Sequence, residues 1–258
     1  MMLLVDAGNT RIKWRIVEDQ QLIATGVTRT VDWVELNAAW QPFKPAQAVL
    51  SCVAAASVHA GLAELLQQRG IEAHWLLAER ERHGVLNHYT APEKLGADRY
   101  AGLIAASRLK LGDCVVASVG TATTVDQLNR NSAFLGGIIL PGPDMMRAAL
   151  LRGTGQIETR MQSDTTHLPA ELNLTLPPRD TAAAVETGIV LAQVGAIDAM
   201  CQNMCQNMAP SMNTTPVLIL TGGARAQVRA GLRRELIEID DLVLDGLAWI
   251  GLELNCAN

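Results

Sequence analysis

"VVASVGTATTVDQLN", residues 115–129, reads as a strand that breaks into a tight glycine-threonine turn and resumes as a second strand. "LLVDAGNTRIKW", residues 3–14, follows the same plan, with Asp6 where the later stretch has Ser118. The surroundings repeat as well. "MLLVD", "IKWRIVE" and "QLIATGVT" near the start correspond in order to "CVVAS", "VDQLN" and "FLGGIIL" from residue 114. Short polar turns between such segments imply antiparallel neighbours. A duplicated strand-turn-strand-turn-strand unit is the natural reading, and it divides the chain into residues 1–113 and 114–258. A cleft between two such domains is the default place for a ligand.

The segments between the strands fill in an α/β plan. "VDWVELNAAW" reads as a helix, "AVLSCVA" as a short buried strand, "HAGLAELLQQRG" as a helix stopped by Gly70, and "AHWLLA" as a further strand. "APEKLGADRYAGLIAASRLKLG" is a helical region with Pro92 near its start and Gly112 at its end, and "PGPDMMRAALLRGTG" a helix entered through Pro and Asp. Residues 161–180 carry three prolines and little periodicity, the mark of a long and often functional loop. A long helix from Thr181, a strand entering a helix through "TGGA" (residues 221–224), and a last helix "LVLDGLAWIGLELN" complete the chain.

Composition bounds the function. In 258 residues, 49% hydrophobic and 18% charged, there is material for a proper core and nothing of a disordered chain. A formal charge of −5 offers no broad attraction for nucleic acid, whose non-specific binding rests on many Lys and Arg contacts to phosphate. The expectation is therefore no nucleic-acid partner. No basic and apolar leader precedes the first strand, so no secretory signal is expected. The most apolar long stretch is interrupted by Glu186, Gln193 and Asp198, which predicts a packed helix and no membrane span. Five cysteines, odd in number and mostly in apolar contexts, suit free thiols in a reducing cytoplasm. Cys201 and Cys205 share a helix face, but without further ligands they read as structural.

The turns invite phosphate. A strand that ends in Gly-Asn-Thr and doubles back leaves backbone N–H groups without ladder partners, and the threonine hydroxyl adds a donor. Asp6 could hold Mg²⁺ through water, since that ion keeps most of its hydration shell and uses one or two carboxylates with phosphate oxygens. Lys13 or Arg11 could neutralise phosphate charge. An ordinary hairpin would also use Gly and Asn. That reading weakens when "GTATT" occupies the same place in a second unit, since three threonines are not needed to close a hairpin, and when "TGGA" supplies a third glycine corner opening a helix. Two phosphate turns and a glycine-capped helix describe an ATP cleft between duplicated domains, and over nearly the full chain this resembles the actin-like, sugar-kinase-like and Hsp70-like ATPases. The fold class expected is α/β, with two duplicated ribonuclease-H-like domains of mixed sheets flanked by helices.

"DAGNT", "YTAPEKLGADR", "VGTATT", "GGIILPG" and "TGGA", in this order, closely resemble type III pantothenate kinase. The resemblance implies transfer of the ATP γ-phosphate to the primary hydroxyl of pantothenate, the first step of coenzyme A synthesis. It implies Asp98 as general base, with Tyr89, Gly96, Ala97, Arg99 and Thr181 at the pantothenate. It places Asp6, Ala7, Gly8, Asn9, Thr10 and Lys13 in the first ATP turn, Gly120, Thr121, Ala122 and Thr123 in the second, and Gly222 and Gly223 at the third corner. It further implies a homodimer with the pantothenate pocket at the subunit interface, near "GGIILPG" and completed by Thr181. Without the resemblance, Asp98-Arg99 reads first as an N-cap aspartate with a salt-bridging neighbour. Another small-molecule kinase of the superfamily and a transcription-related accessory protein are the alternatives, the second because relatives are also described as Bvg accessory factors.

Two positions depart from the family pattern. Ser118 stands where the family commonly has an aspartate that helps bind K⁺ or NH₄⁺, which predicts a weakened or absent monovalent-cation site. The third corner continues Gly-Gly-Ala-Arg-Ala where Gly-Gly-Asp-Ala is common, which leaves ATP contacts at Arg225 open. There is no Gly-Lys-Ser/Thr phosphate loop, no Gly-x-Ser-x-Gly and no histidine pair at metal-ligand spacing.

Overall fold

A computed structural model describes residues 1–154, 174–207 and 215–256. The chain forms two compact units. The first holds residues 1–111, 128–136 and the C-terminal stretch from Asp241, and the second holds residues 112–127 and 137–240. Where the sequence suggests a single cut between residues 113 and 114, the chain instead returns to the first unit twice. Packing explains the second return: the C-terminal helix buries its apolar side against the first unit's sheet and against the helix that begins at Ala97.

The helices among the described residues are α1 (Trp33–Trp40), α2 (Ala56–Gln68), α3 (Ala97–Arg108), α4 (Pro143–Gly153), α5 (Thr181–Asn207), α6 (Ala226–Arg229) and α7 (Leu242–Cys256). In the first unit, strands β1 (Met2–Ala7), β2 (Arg11–Glu18), β3 (Gln21–Arg29), β4 (Gln47–Cys52) and β5 (Glu72–Trp75) form a mixed sheet in the order β3-β2-β1-β4-β5. β1 pairs antiparallel with β2 and parallel with β4. The β2–β3 turn puts Asp19 and Gln20 at φ 49° and 67°, the left-handed pair that matches the twist of a two-residue hairpin.

Alternation along the strands decides which helices each side chain meets. Leu3, Val5, Ala7, Ile12, Trp14, Ile16, Ala48 and Leu50 point to one face and are buried with Leu36 and Trp40 of α1 and Val58, Leu62, Leu65 and Leu66 of α2. The residues between them, Met2, Leu4, Asp6, Lys13, Arg15, Val49 and Ser51, belong to the opposite face, which α3 and α7 cover. α3 is buried all round from Arg99 to Ser107, which is why its sequence lacks a clean amphipathic stripe. Gly246 permits its packing: a Cβ there would sit 2.0 Å from the carbonyl oxygen of Ala101.

In the second unit, β8 (Cys114–Val119), β9 (Ala122–Leu128), β10 (Ala133–Pro141), β11 (Val217–Thr221) and β12 (Leu236–Glu238) run in the order β12-β11-β8-β9-β10. β8, β11 and β12 are parallel neighbours. Read from the opposite edge, this is the first unit's order again, so the duplication expected from the sequence is present as topology. One face buries Val115, Ala117, Val119, Val125, Leu218 and Leu220 against Val190, Val194, Ile197, Cys201 and Met204 of α5. By length and composition α5 is apolar enough to cross a membrane. In the fold it is a packed helix, with Gln193 fully buried and bonded to the Pro141 carbonyl at 2.8 Å.

Three elements differ from the sequence reading. Within the polar stretch after β5 lie two short strands, β6 (Glu81–Arg82) and β7 (Val85–Asn87), the latter parallel to the start of β10. The "APEKLGADR" region is a 3₁₀ turn (Pro92–Lys94) followed by an extended Leu95-Gly96 break, and only then a helix. The third corner leads into a helix of four residues, too short for a helix dipole to favour an anion there. Most of the long loop read at residues 161–180, including His167, lies outside the described residues.

Candidate active site

The first unit gathers a set of charged groups where β1, β2, α3 and α7 begin or end. Asp6, one residue from the end of β1, faces Lys13 across the β1–β2 ladder and Ser51 across the β1–β4 ladder. Its carboxyl is pushed up to about 7, first by burial and then by the Asp98 charge, with Lys13 pulling the other way and Asp241 adding to the rise. Lys13 Nζ donates to Asp241 Oδ1 at 2.7 Å. Burial works to raise the Asp241 carboxyl, but Lys13 and Arg15 outweigh it and hold the group below the usual carboxylate range.

Asp98 is the second residue of α3. Its Oδ1 accepts the Arg99 backbone N–H at 2.8 Å and lies back over Gly96, where a Cβ would sit 2.7 Å from it. Gly96 is thus needed for the carboxylate's position, not for a positive φ. Burial raises the Asp98 carboxyl, against the opposing pull of the Arg99 N–H and guanidinium. Asp98 is not the N-cap of α3, since Gly96 holds that place and no side chain caps the helix.

Arg99 is 8% exposed, unusual for arginine. Its Nη1 donates to Tyr89 Oη at 2.9 Å, and its guanidinium lies 5.6 Å from the Tyr89 ring centre and 5.7 Å from that of Phe134. Tyr89 is carried by the loop after β7. Asn87 fixes that loop, accepting the Tyr89 N–H at 3.0 Å and donating to the Pro92 carbonyl at 3.1 Å. Tyr89, Gly96, Ala97, Asp98 and Arg99 therefore come together in one place, with Asp98 near enough to Asp6 for their charges to interact.

The first turn is closed by Gly8, whose N–H donates to Arg11 O at 3.0 Å. Thr30 pins it from outside, its Oγ1 donating to Gly8 O at 2.8 Å. Asn9 and Thr10 remain exposed at the tip. In the second unit Gly120 closes its turn in the same way, donating to Ala122 O at 3.0 Å. Both glycine N–H groups are thus used within their own turns. Thr121 and Ala122 are exposed, whereas Thr123 is fully buried with no protein partner for its hydroxyl among the described residues.

Two further glycines converge on this second turn. Gly142, at the end of "GGIILPG", donates its N–H to Thr121 O at 3.0 Å, and a Cβ on it would lie 2.0 Å from Gly120 O. Gly222, at φ 95°, lies so close to β8 that a Cβ would meet Val119 O at 2.2 Å. The corner is tied there by Ala224, whose N–H donates to Val119 O at 2.9 Å. Gly223 is exposed, with nothing within 4 Å of where a Cβ would lie. Arg225 is engaged by Asp240 and Glu238. Ser118 pairs in register with Thr221 and, by alternation, shares the face of the sheet that carries Thr124 and the buried Asp126.

Residues 2–203 match the profile of the type III pantothenate kinase family. The chain belongs to that family. It is 40% identical to the type III pantothenate kinase of Azoarcus sp. (strain BH72) over 97% of this chain and 90% of that one. With the type III pantothenate kinase of Nitrosospira multiformis it shares 37% identity over 98% and 92% of the two chains. Among solved structures, a candidate 2-dehydro-3-deoxygalactonokinase from Sinorhizobium meliloti aligns with a TM-score of 0.59 at 14% identity, covering 98% and 97%. MreB 5 of Spiroplasma citri, bound there to AMPPNP, aligns with a TM-score of 0.51 at 10% identity, covering 99% and 97%. These two likenesses carry the fold alone, that of the actin-like ATPases and sugar kinases.

Type III pantothenate kinases are transferases of coenzyme A biosynthesis, and membership makes this chain a kinase with ATP as co-substrate. Asp241, Asn87 and Phe134, which surround the first unit's charged groups, carry no local signal in the sequence, because what brings them there is tertiary packing.

Proposed function

We propose that the chain transfers the γ-phosphoryl group of ATP to the primary hydroxyl of pantothenate, giving 4′-phosphopantothenate, with Asp98 as general base. The observation that carries the assignment is the local build of Asp98: a raised carboxyl folded over Gly96, fixed by the Arg99 N–H, next to a buried arginine aligned by Tyr89. Phosphoryl transfer depends on positioning and charge neutralisation more than on a covalent nucleophile. Asp98 accepts the hydroxyl proton, and Arg99 with Tyr89 orients the pantothenate carboxylate. Lys13, Asn9 and Thr10 of the first turn, and Thr121 of the second, serve the phosphates. Replacing Asp98 by Asn is expected to lower turnover at least 10²-fold with ATP binding retained. Unchanged turnover, followed by ADP release, would remove Asp98 from this role.

Mg²⁺ fits the first unit. Asp6 is a raised carboxyl at a strand end, and the Ser51 hydroxyl beside it in register is fully buried with no protein partner among the described residues. Among the described residues no three or more His, Cys, Asp or Glu side chains are placed to hold a metal by themselves. That suits an ion held through water and phosphate with one carboxylate, Asp6. When bound, Mg²⁺ would neutralise phosphate charge. A monovalent cation is not expected to matter, since Ser118 carries no charge.

We infer also that the chain works as a homodimer in the cytoplasm. An open groove of about 840 Å³ in the second unit is lined largely by apolar residues of α4 and α5, including Met146, Leu150, Val185 and Ile189, and Thr181 lies on its wall. Ile139, Met145 and Leu176 are further exposed apolar residues of the same unit, and large exposed apolar patches mark interaction surfaces. A second copy covering this groove would bring Thr181 into the pantothenate pocket.

A further inference from the structure

We propose that Asp241 is a positioning residue for phosphoryl transfer, holding the Lys13 ammonium beside Asp6 so that it is already in place when the ATP phosphates arrive. The proposal rests on the reading of Lys13 as a phosphate-neutralising residue and adds a role for a carboxylate outside the family motifs quoted above. A lysine on a strand has a flexible stem, and fixing it costs rotamer entropy. Lys13 is held at 2.7 Å by Asp241 Oδ1. Asp241 is itself fixed, because its other oxygen accepts from Arg15 Nη2 at 3.3 Å, and Arg15 Nη1 donates to Asp245 Oδ1 at 2.5 Å.

The order of these four residues follows from two periodicities. Lys13 and Arg15, two apart on β2, share a face, and Asp241 and Asp245, four apart at the start of α7, share a helix side. Two strand residues and one helical turn span nearly the same distance, so alternating charges meet in register. Gly246 then docks α7 on Ala101 of α3, the helix whose second residue is Asp98. The helix that carries Asp241 is thereby fastened to the one that carries the base. The side chains of Lys13, Arg15, Asp241 and Asp245 are 28%, 20%, 25% and 39% exposed, so every member of the chain of pairs, Lys13 included, is reachable from solvent.

The test is calorimetric titration of the full chain with Mg²⁺ and a non-hydrolysable ATP analogue. It compares the wild type, Asp241→Asn, Lys13→Met and the double variant, with Asp241→Glu and Arg15→Gln beside them. Asp241→Asn is expected to weaken binding about tenfold, the equivalent of about 1.4 kcal/mol. In the Lys13→Met background Asp241→Asn should change nothing further, Asp241→Glu should recover part of the loss, and Arg15→Gln should weaken binding less than Asp241→Asn. A purely structural role would lower affinity by the same factor with or without Lys13. Independent, multiplying effects would overturn the proposal, and so would unchanged binding. Tighter binding in Asp241→Asn would also overturn it, since Asp241 would then be competing with phosphate for Lys13. Because the titration needs no pantothenate, its outcome is separate from that of the pantothenate assay on the wild type.

Discussion

Ser118 shows how one residue changes an expectation without changing the fold. It occupies β8 in register with Thr221, on a face that also carries Asp126, yet it offers a hydroxyl where a carboxylate would attract a cation. Turnover measured against K⁺ or NH₄⁺ at fixed ionic strength should therefore be nearly flat, and strong saturable activation would show that other oxygens of this face supply the site. Gly96 is a second such position. Its backbone needs no unusual φ, but the Asp98 oxygen occupies the space of its Cβ. From sequence alone the aspartate reads as a cap; in the fold its oxygen fills the space a Gly96 side chain would need.

At the scale of elements, the crossing of α3 and α7 sets the geometry of the first unit's charged groups. Gly246→Ala would drive a methyl into the Ala101 carbonyl, and overpacking of this kind costs about 1–3 kcal/mol. The melting temperature should fall by several degrees, and turnover with it, because α3 carries Asp98. Gly195→Ala in α5, where a Cβ meets nothing within 4 Å, is the control and should stabilise slightly. A loss in both variants, or in neither, would contradict this account of the crossing. The strands of both units were legible in the sequence because alternation and turn residues are local signals, and the two sheets repeat one order. β6, β7 and β12 were not, since two or three residues are too few for alternation to show; β6 and β7 form a tight hairpin, and β7 and β12 are held in place by β10 and β11. Asp241 was not legible either: an acidic residue before a helix is an ordinary helix start, and only the pairing of α7 with β2 gives it Lys13.

For the molecule as a whole, the duplicated α/β plan could be read from "DAGNT" and "GTATT", whereas the return of the C-terminal helix to the first unit could not. A duplicated sequence predicts two equal halves, but the apolar side of α7 is buried on β1, β4 and α3. The apolar groove along α4 and α5 leads to a prediction about assembly. Leu150, 38% exposed on its wall, can be replaced by Glu with little harm to the monomer's core. Sedimentation should show a dimer for the wild type and a monomer for Leu150→Glu, with a raised KM for pantothenate in the variant; an unchanged dimer would place the interface elsewhere. The central claim is more direct to test. ADP release by the purified chain with ATP and Mg²⁺ is measured with and without pantothenate, and the product is weighed by mass spectrometry. The account predicts release that depends on pantothenate and a product heavier by one phosphoryl group. Release that is indifferent to pantothenate, or a pantothenate left unmodified, would contradict it.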